Sequence, residues 1–252
     1  AEDEGHQVIL NTHSPHFIEF NSMLQVAKVY KRNLQESTKV IQPLEFDKEG
    51  TIKEKEFVYS WGRAELREKY KNINLVNMNY YLNPNRTEMF FADKVVLVEG
   101  QTEKMLFQSW ANYFFGDDIA AISQVTYIDC LGKFNMQQYI KILGEFEIPF
   151  IVIVDSDKDK SYKTQEVNKH IKKDVLEANG LYFELDLDFE GAFDIKVAEF
   201  DDELMKKKHK PFYAFIQFFG AGGEPKEAEL EKLKSNNKLK TIFHAIYDKN
   251  LM

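Results

Sequence analysis

One cysteine, Cys130, stands alone in 252 residues. An intrachain disulfide is therefore excluded, and the composition fits a reducing compartment, the cytoplasm. No apolar run approaches the roughly 18 residues that a membrane-spanning helix needs, and no secretory signal pattern opens the chain. A G-x-x-x-x-G-K-[S/T] phosphate loop is missing, so the chain alone is not expected to hydrolyse ATP. Basic charge is in deficit: 33 Lys and Arg stand against 41 Asp and Glu, a formal net charge of −8. That balance argues against a nonspecific nucleic-acid coat, but local basic clusters can still serve a nucleic-acid enzyme. Internal repeats and low-complexity tracts are absent too. The first residue is Ala rather than Met, which leads us to expect a piece of a longer polypeptide.

Apolar and aromatic residues are plentiful. They make up 44% and 14% of the chain, with 21 Phe and 12 Tyr. Such a chain can bury a substantial core in one large or two modest domains. Residues 7–10, Q-V-I-L, read as a short buried strand. Residues 24–33 and 38–46 alternate as strands around a turn at 34–37, and K-E-G at 48–50 reads as another turn. A helix is expected over 60–72. N-P-N at 83–85 breaks the pattern, so we divide the chain into 1–90 and 91–252.

Beyond that boundary the order becomes regular. Residues 95–98, 125–128 and 148–154 read as strands, and 102–115 and 135–146 as helices with apolar positions at helical spacing. I-P-F-I-V-I-V is apolar at almost every position, as a strand is when a parallel sheet carries helices on both faces. Three strands alternating with two helices make a βαβαβ unit with right-handed crossovers. Residues 192–208 and 211–219 are expected to be helical, and 224–234 is charged and helix-prone.

Acidic residues recur where these strands end. Glu99 follows V-V-L-V, with Gly100 to let the chain turn and Glu103 in the first turn of the next helix. Asp155 and Asp157 close I-V-I-V-D-S-D, and strand alternation would aim both to one side. Asp188 and Glu190 lie in D-L-D-F-E-G-A. Open α/β sheets bind ligands beyond the carboxyl ends of their strands, so these carboxylates can meet on one rim. Packed together they repel, and some would hold protons. A divalent cation relieves that conflict, and hard oxygen ligands suit Mg²⁺ or Mn²⁺. Two such ions can support phosphoryl transfer.

V-E-G-Q-T-E followed two strands later by I-V-D-S-D resembles the Toprim domain of topoisomerases, primases and related nucleases. The second acid in V-E-G-x-T-E resembles in particular the nucleases of the OLD (overcoming lysogenisation defect) family. V-I-L-N-T-H-S-P-H-F is similar to the last strand and switch-histidine loop of the ABC-type ATPase that precedes Toprim in OLD proteins. The resemblance implies an α/β fold, a mostly parallel Toprim sheet flanked by helices, with a helical insertion at about 192–210 and a small β-rich ATPase remnant at 1–90. It implies a metal-dependent DNA endonuclease. Glu99, Glu103, Asp155, Asp157, Asp188 and Glu190 would hold two Mg²⁺ or Mn²⁺ ions, with Asp188 where serine is often seen. Glu99 would help activate water, and Lys210, which precedes a proline, would neutralise the transition state. His13 would act on ATP only together with the missing ATPase portion, through which a homo-oligomer could also form. DNA would be the partner, with Lys158, Lys160 and Lys208 from the clusters at 158–173 and 206–210 as phosphate contacts. Two rival readings stay open. A phosphatase of the haloacid-dehalogenase type also uses D-x-D, with Asp155 as nucleophile. A regulatory or dimerisation module without catalysis would bind no metal.

Overall fold

The computed structural model describes residues 9–18, 26–31, 35–42, 84–159, 162–196 and 203–248. Contacts divide the chain into two compact units, Ala1–Phe91 and Ala92–Met252.

In the first unit, β1 (Lys28–Tyr30) pairs antiparallel with β2 (Lys39–Ile41), Lys28 opposite Ile41, across a turn at 35–36. The strand expected over 7–10 is not formed at 9–10: Ile9 is 86% exposed and Leu10 60% exposed. An apolar run becomes a strand only where a neighbour takes up its backbone polar groups, and among the described residues no ladder reaches it. The helix expected over 60–72 and the turn at 48–50 lie outside the described residues. Past His13 the chain enters a single turn, Pro15–Phe17. There Pro15 O accepts the Thr87 hydroxyl at 2.9 Å.

The second unit is built on four parallel strands. In chain order they are β3 (Lys94–Val98), β4 (Val125–Asp129), β5 (Phe150–Asp155) and β6 (Leu181–Leu185), and their order across the sheet is β4-β3-β5-β6. The connections are helical: α1 (Gln101–Phe115) and α2 (Ile119–Ser123) lead to β4, α3 (Met136–Glu145) to β5, and α4 (Tyr162–Glu177) to β6. After β6 come the single turn α5 (Phe189–Ala192), α6 (Glu203–Phe219), α7 (Glu227–Lys234) and α8 (Asn237–Tyr247). Among the described residues no helix is long and apolar enough to cross a membrane.

The apolar runs follow from burial on both faces. Val96 and Val98 of β3 and Ile151 and Ile153 of β5 enter one cluster with residues of α1 and of α5 to α8. The alternate residues Val95, Leu97, Val152 and Val154 are equally buried. Right-handed crossovers put α3 and α4 on that second face. The first cluster is aromatic-rich. The Phe107 ring lies 5.6 Å from Trp110, 5.5 Å from Phe189 and 6.0 Å from Phe243. It thus joins α1, α5 and α8, and such pairs add about 0.5–1.5 kcal/mol each beyond the area they bury.

Two expectations change here. Residues 192–208 and 211–219 are not two helices: 193–196 are irregular, 197–202 lie outside the described residues, and α6 runs unbroken from Glu203 through Pro211. The segment L-Y-F-E-L forms β6, a fourth strand beyond the βαβαβ unit.

Candidate active site

Parallel register brings the acidic residues together. Val98 pairs with Asp129 and Leu97 with Val152, so β3 and β5 end on the same edge. Glu99 leaves β3 there, and its Oε1 accepts the Asp155 backbone N–H at 3.0 Å. Glu103 follows in the first turn of α1, where the helix N-terminus favours an anion. Gly100 does not supply an unusual turn: its φ of −151° is ordinary extended backbone. What glycine provides is room, because a Cβ there would lie 3.2 Å from Glu103 Oε2.

Asp155 sits in the middle of the group. Its carboxyl is pushed up to about 8, first by burial and then by the charges of Glu99, Glu103, Glu190 and Asp157. Glu103 is also raised, by burial and by Glu190 and Glu99, against the pull of Lys210. Burial raises Glu99, while Lys133 and the Asp155 N–H pull it down. Four segments therefore place carboxylates within electrostatic reach of one another. Lys210, on α6, reaches back to Glu190 Oε1 at 2.5 Å.

Asp157 does not share Asp155's side by alternation. The strand stops at Asp155, and Asp157 adopts a left-handed φ of 49°. Its carboxylate pairs with the buried Lys133 ammonium. Between them, Ser156 ties the two strand ends: its N–H donates to Leu185 O at 3.0 Å and its Oγ accepts the Leu187 N–H at 2.9 Å. Asp188 serves as a cap, accepting the Gly191 N–H at 2.7 Å, and it is absent from the charges acting on Asp155.

Of the three expected phosphate contacts, only Lys158 has a described side chain. Lys158 is exposed and lies 3.3 Å from Asp186. Lys160 falls outside the described residues, and Lys208 is placed only as a backbone position in α6. Lys169 and Lys173 pair with Glu166 and Glu177 of their own helix, at 2.5 and 3.6 Å, on an outward face of α4. His13, in the first unit, is exposed and packs edge-on to Phe91 at 6.2 Å.

Lys133 and Asn168 were not anticipated. Lys133 donates to Asp155 O at 2.8 Å and Asn168 Oδ1 at 3.0 Å, and lies 3.3 Å from Glu99 Oε1. Asn168 Nδ2 donates to Asp155 O at 2.8 Å. A single lysine in C-L-G-K-F-N carries no periodic signal, and only the glycine beside it hints at a special loop.

The donor set fits a hard divalent cation: carboxylate oxygens, partly buried, with Glu99, Glu103 and Asp155 raised in pKa first by burial and then by their acidic neighbours. Among the described residues no three acidic or imidazole side chains already ring one point. The basin is a loose cluster in which side chains must rotate to share an ion.

Comparison with known proteins agrees with the motifs. Residues 90–157 match the family described as overcoming lysogenization defect protein-like, TOPRIM domain. A curated relative, the OLD nuclease of Thermus scotoductus (strain ATCC 700910 / SA-01), is 25% identical over 158 residues, covering 62% of this chain and 26% of the relative. The chain thus spans about a quarter of that relative's length. Among solved structures, the C-terminal region of the Burkholderia pseudomallei OLD protein is 20% identical, with a TM-score of 0.33 over 59% of this chain and 83% of that one. The C-terminal region of the Xanthomonas campestris pv. campestris OLD protein, phased with iodine, is 16% identical, with a TM-score of 0.31 over 62% of this chain and 81% of that one. The resemblance read from V-E-G-Q-T-E and I-V-D-S-D is borne out: residues 90–157 match the OLD-like Toprim family, and the curated relative is an OLD nuclease.

Proposed function

We propose that this chain is the nuclease part of an ATPase-coupled enzyme and cleaves DNA phosphodiesters with divalent metal. The observation that carries the reading is the convergence of Glu99, Glu103, Asp155 and Glu190 at one sheet edge, with Lys210 against Glu190. Those four carboxylates would hold Mg²⁺ or Mn²⁺. When bound, the metal would supply a positive centre that polarises phosphate and lowers the pKa of water.

The chain's own groups have separable tasks. Glu99 is steadied by the Asp155 N–H and Lys133 on one oxygen, Oε1, which leaves Oε2 outside both contacts. That second oxygen is the one to accept a proton from an attacking water. Lys210 stays protonated, since Glu190, Glu103 and Asp155 hold its ammonium above the usual lysine value despite burial. Released from Glu190, it can meet charge developing on a phosphate oxygen. The phosphatase reading leaves Glu99, whose carboxylate accepts the Asp155 N–H, without a role. Residues 1–90 are proposed to belong to the ATPase portion, with His13 as its switch histidine.

The test is plasmid nicking with Mg²⁺, Mn²⁺ or Ca²⁺ by the wild type, Glu99→Ala and Asp155→Ala. Both variants are expected to stay folded and lose cutting. Full cutting by both would end the proposal.

A further inference from the structure

Lys133 is 4% exposed, deeper than any carboxylate of the basin except Asp157 at 3%. A buried ammonium is costly unless every N–H is matched and its charge answered. Here both conditions hold. Its acceptors are Asp157, Asp155 O at 2.8 Å and Asn168 Oδ1 at 3.0 Å, with Glu99 Oε1 beside it at 3.3 Å.

The loop after β4 is shaped to deliver it. Gly132 takes a φ of 104°, and its N–H donates to Glu99 O at 2.7 Å, which pins the loop to the end of β3. Asn135 Nδ2 donates to Cys130 O at 3.0 Å and Leu131 O at 2.9 Å, closing the turn from the other side. Asn168 of α4 then bonds both to Lys133 and to the carbonyls of Asp155 and Ser156, at 2.8 and 3.2 Å. Three segments, the β4 loop, the end of β5 and α4, meet on one amine.

We propose that Lys133 is a positioning residue, a resident cation that fixes Glu99 and the exit of β5, and that Asp157 serves this lysine rather than a divalent ion. The proposal rests on the metal-nuclease reading but assigns a different duty to the second Asp of D-x-D. Asp157 meets the buried Lys133 ammonium through one carboxylate oxygen, Oδ2. Glu99 is oriented from two sides through one oxygen. Asp155, whose carbonyl is held by Lys133 and Asn168, is left with its carboxylate for metal.

The test compares the full chain with Lys133→Met, Asp157→Asn, their double variant and Asp155→Asn. It reads Mn²⁺ stoichiometry and affinity by electron paramagnetic resonance, alongside nicking rates. Lys133→Met should slow nicking roughly 10- to 100-fold, as loss of a group orienting metal ligands does. Its Mn²⁺ affinity should be undiminished, because a positive charge has left the basin. Asp157→Asn should keep the wild-type number of ions, whereas Asp155→Asn should lose at least one. The double variant should nick no more slowly than Lys133→Met alone, the mark of two groups acting as one unit. Should Lys133→Met fail to fold, the double variant, which leaves no unpaired buried charge there, carries the test: it must bind the wild-type number of ions. Loss of an ion in Asp157→Asn, or wild-type nicking by Lys133→Met, overturns the proposal while leaving the nuclease reading intact. A wild type that neither binds Mn²⁺ nor nicks overturns both.

Discussion

Neutralising Asp155 should stabilise the metal-free protein while destroying its activity. In the folded chain this carboxyl is raised from 3.8 to about 8. The sign follows from the folded value lying above the unfolded one. Below about pH 4 both states hold the proton, and the contribution to stability is fully present. Between pH 4 and 8 the unfolded chain releases it and the folded chain does not, so stability falls as pH rises. Above pH 8 the whole cost is felt, because the native state must carry a buried charge beside other carboxylates. At 1.36 kcal/mol per pH unit, raising the pKa from 3.8 to about 8 corresponds to roughly 6 kcal/mol. A urea slope of about 2–3 kcal/mol per M makes this a midpoint shift of about 2 M.

The assay is urea unfolding followed by far-ultraviolet circular dichroism, in chelator, from pH 4 to 9. The wild-type midpoint should fall steadily across that range. Asp155→Asn should match the wild type near pH 4, exceed it increasingly as pH rises, and lie higher by up to about 2 M at pH 9. Saturating Mn²⁺ should raise the wild type, since a ligand bound only by the native state stabilises it. The same Mn²⁺ should do little for the variant. A wild-type midpoint that does not fall with pH, or a variant less stable than wild type at pH 9, would refute the reasoning.

Other expectations concern the scaffold. The Tyr127 and Tyr247 hydroxyls bond at 2.8 Å where α8 meets β4; either Tyr→Phe change alone should cost about 1–3 kcal/mol, and both together less than their sum, by a double-mutant unfolding cycle. Phe107→Ala removes the hub of the aromatic cluster and should cost about 3–5 kcal/mol in urea unfolding. Gly180→Ala would set a Cβ 2.5 Å from the Phe150 ring, so a loss of about 1–3 kcal/mol is expected in thermal melts. Lys94 donates to Ala245 O and Ile246 O at 2.9 and 2.7 Å, at the carboxyl end of α8; Lys94→Met should lower the melting temperature and loosen amide-exchange protection of that last turn.

The parts of the fold legible in the sequence are those buried on both faces. V-V-L-V and F-I-V-I-V admit few structures other than inner strands, and α1 and α3 begin and end within one residue of their expected bounds. β6 escaped because it lies at the sheet edge, where an apolar run is not required. Tyr182 donates to Glu184 at 2.7 Å along its outer stretch, so its polarity reads as loop. Pro211 suggested a break that α6 does not make. Proline costs a helix one hydrogen bond and some crowding, and the packing of Ala214, Phe218 and Phe219 into the core outweighs that here.

The site was legible to the extent that strand ends can be counted. Strand termini and one helix turn were enough to bring Glu99, Glu103 and Asp155 together. Which carboxylates are already answered by a cation was not legible, because that depends on residues far apart in sequence. Lys133 meets Asp157 across 24 positions and Asn168 across 35. The three-dimensional arrangement puts a lysine at each end of the basin: Lys133 against Asp157 and Glu99, Lys210 against Glu190. Asp155 lies between them, and the ion pairs of both lysines fall on other carboxylates. That unevenness adds to burial, the larger cause, in raising Asp155 to about 8, whereas at Glu99, also raised by burial, the Lys133 charge offsets part of the rise. It also locates the charge deficit that an added cation would fill, at the middle of the row rather than along the whole of it. If Lys133 were replaced by a neutral residue the deficit would spread toward Asp157, and an added cation would gain a competing position there. Tighter Mn²⁺ binding coupled to slower cutting is the combined signature that an uneven basin predicts and a uniform one does not.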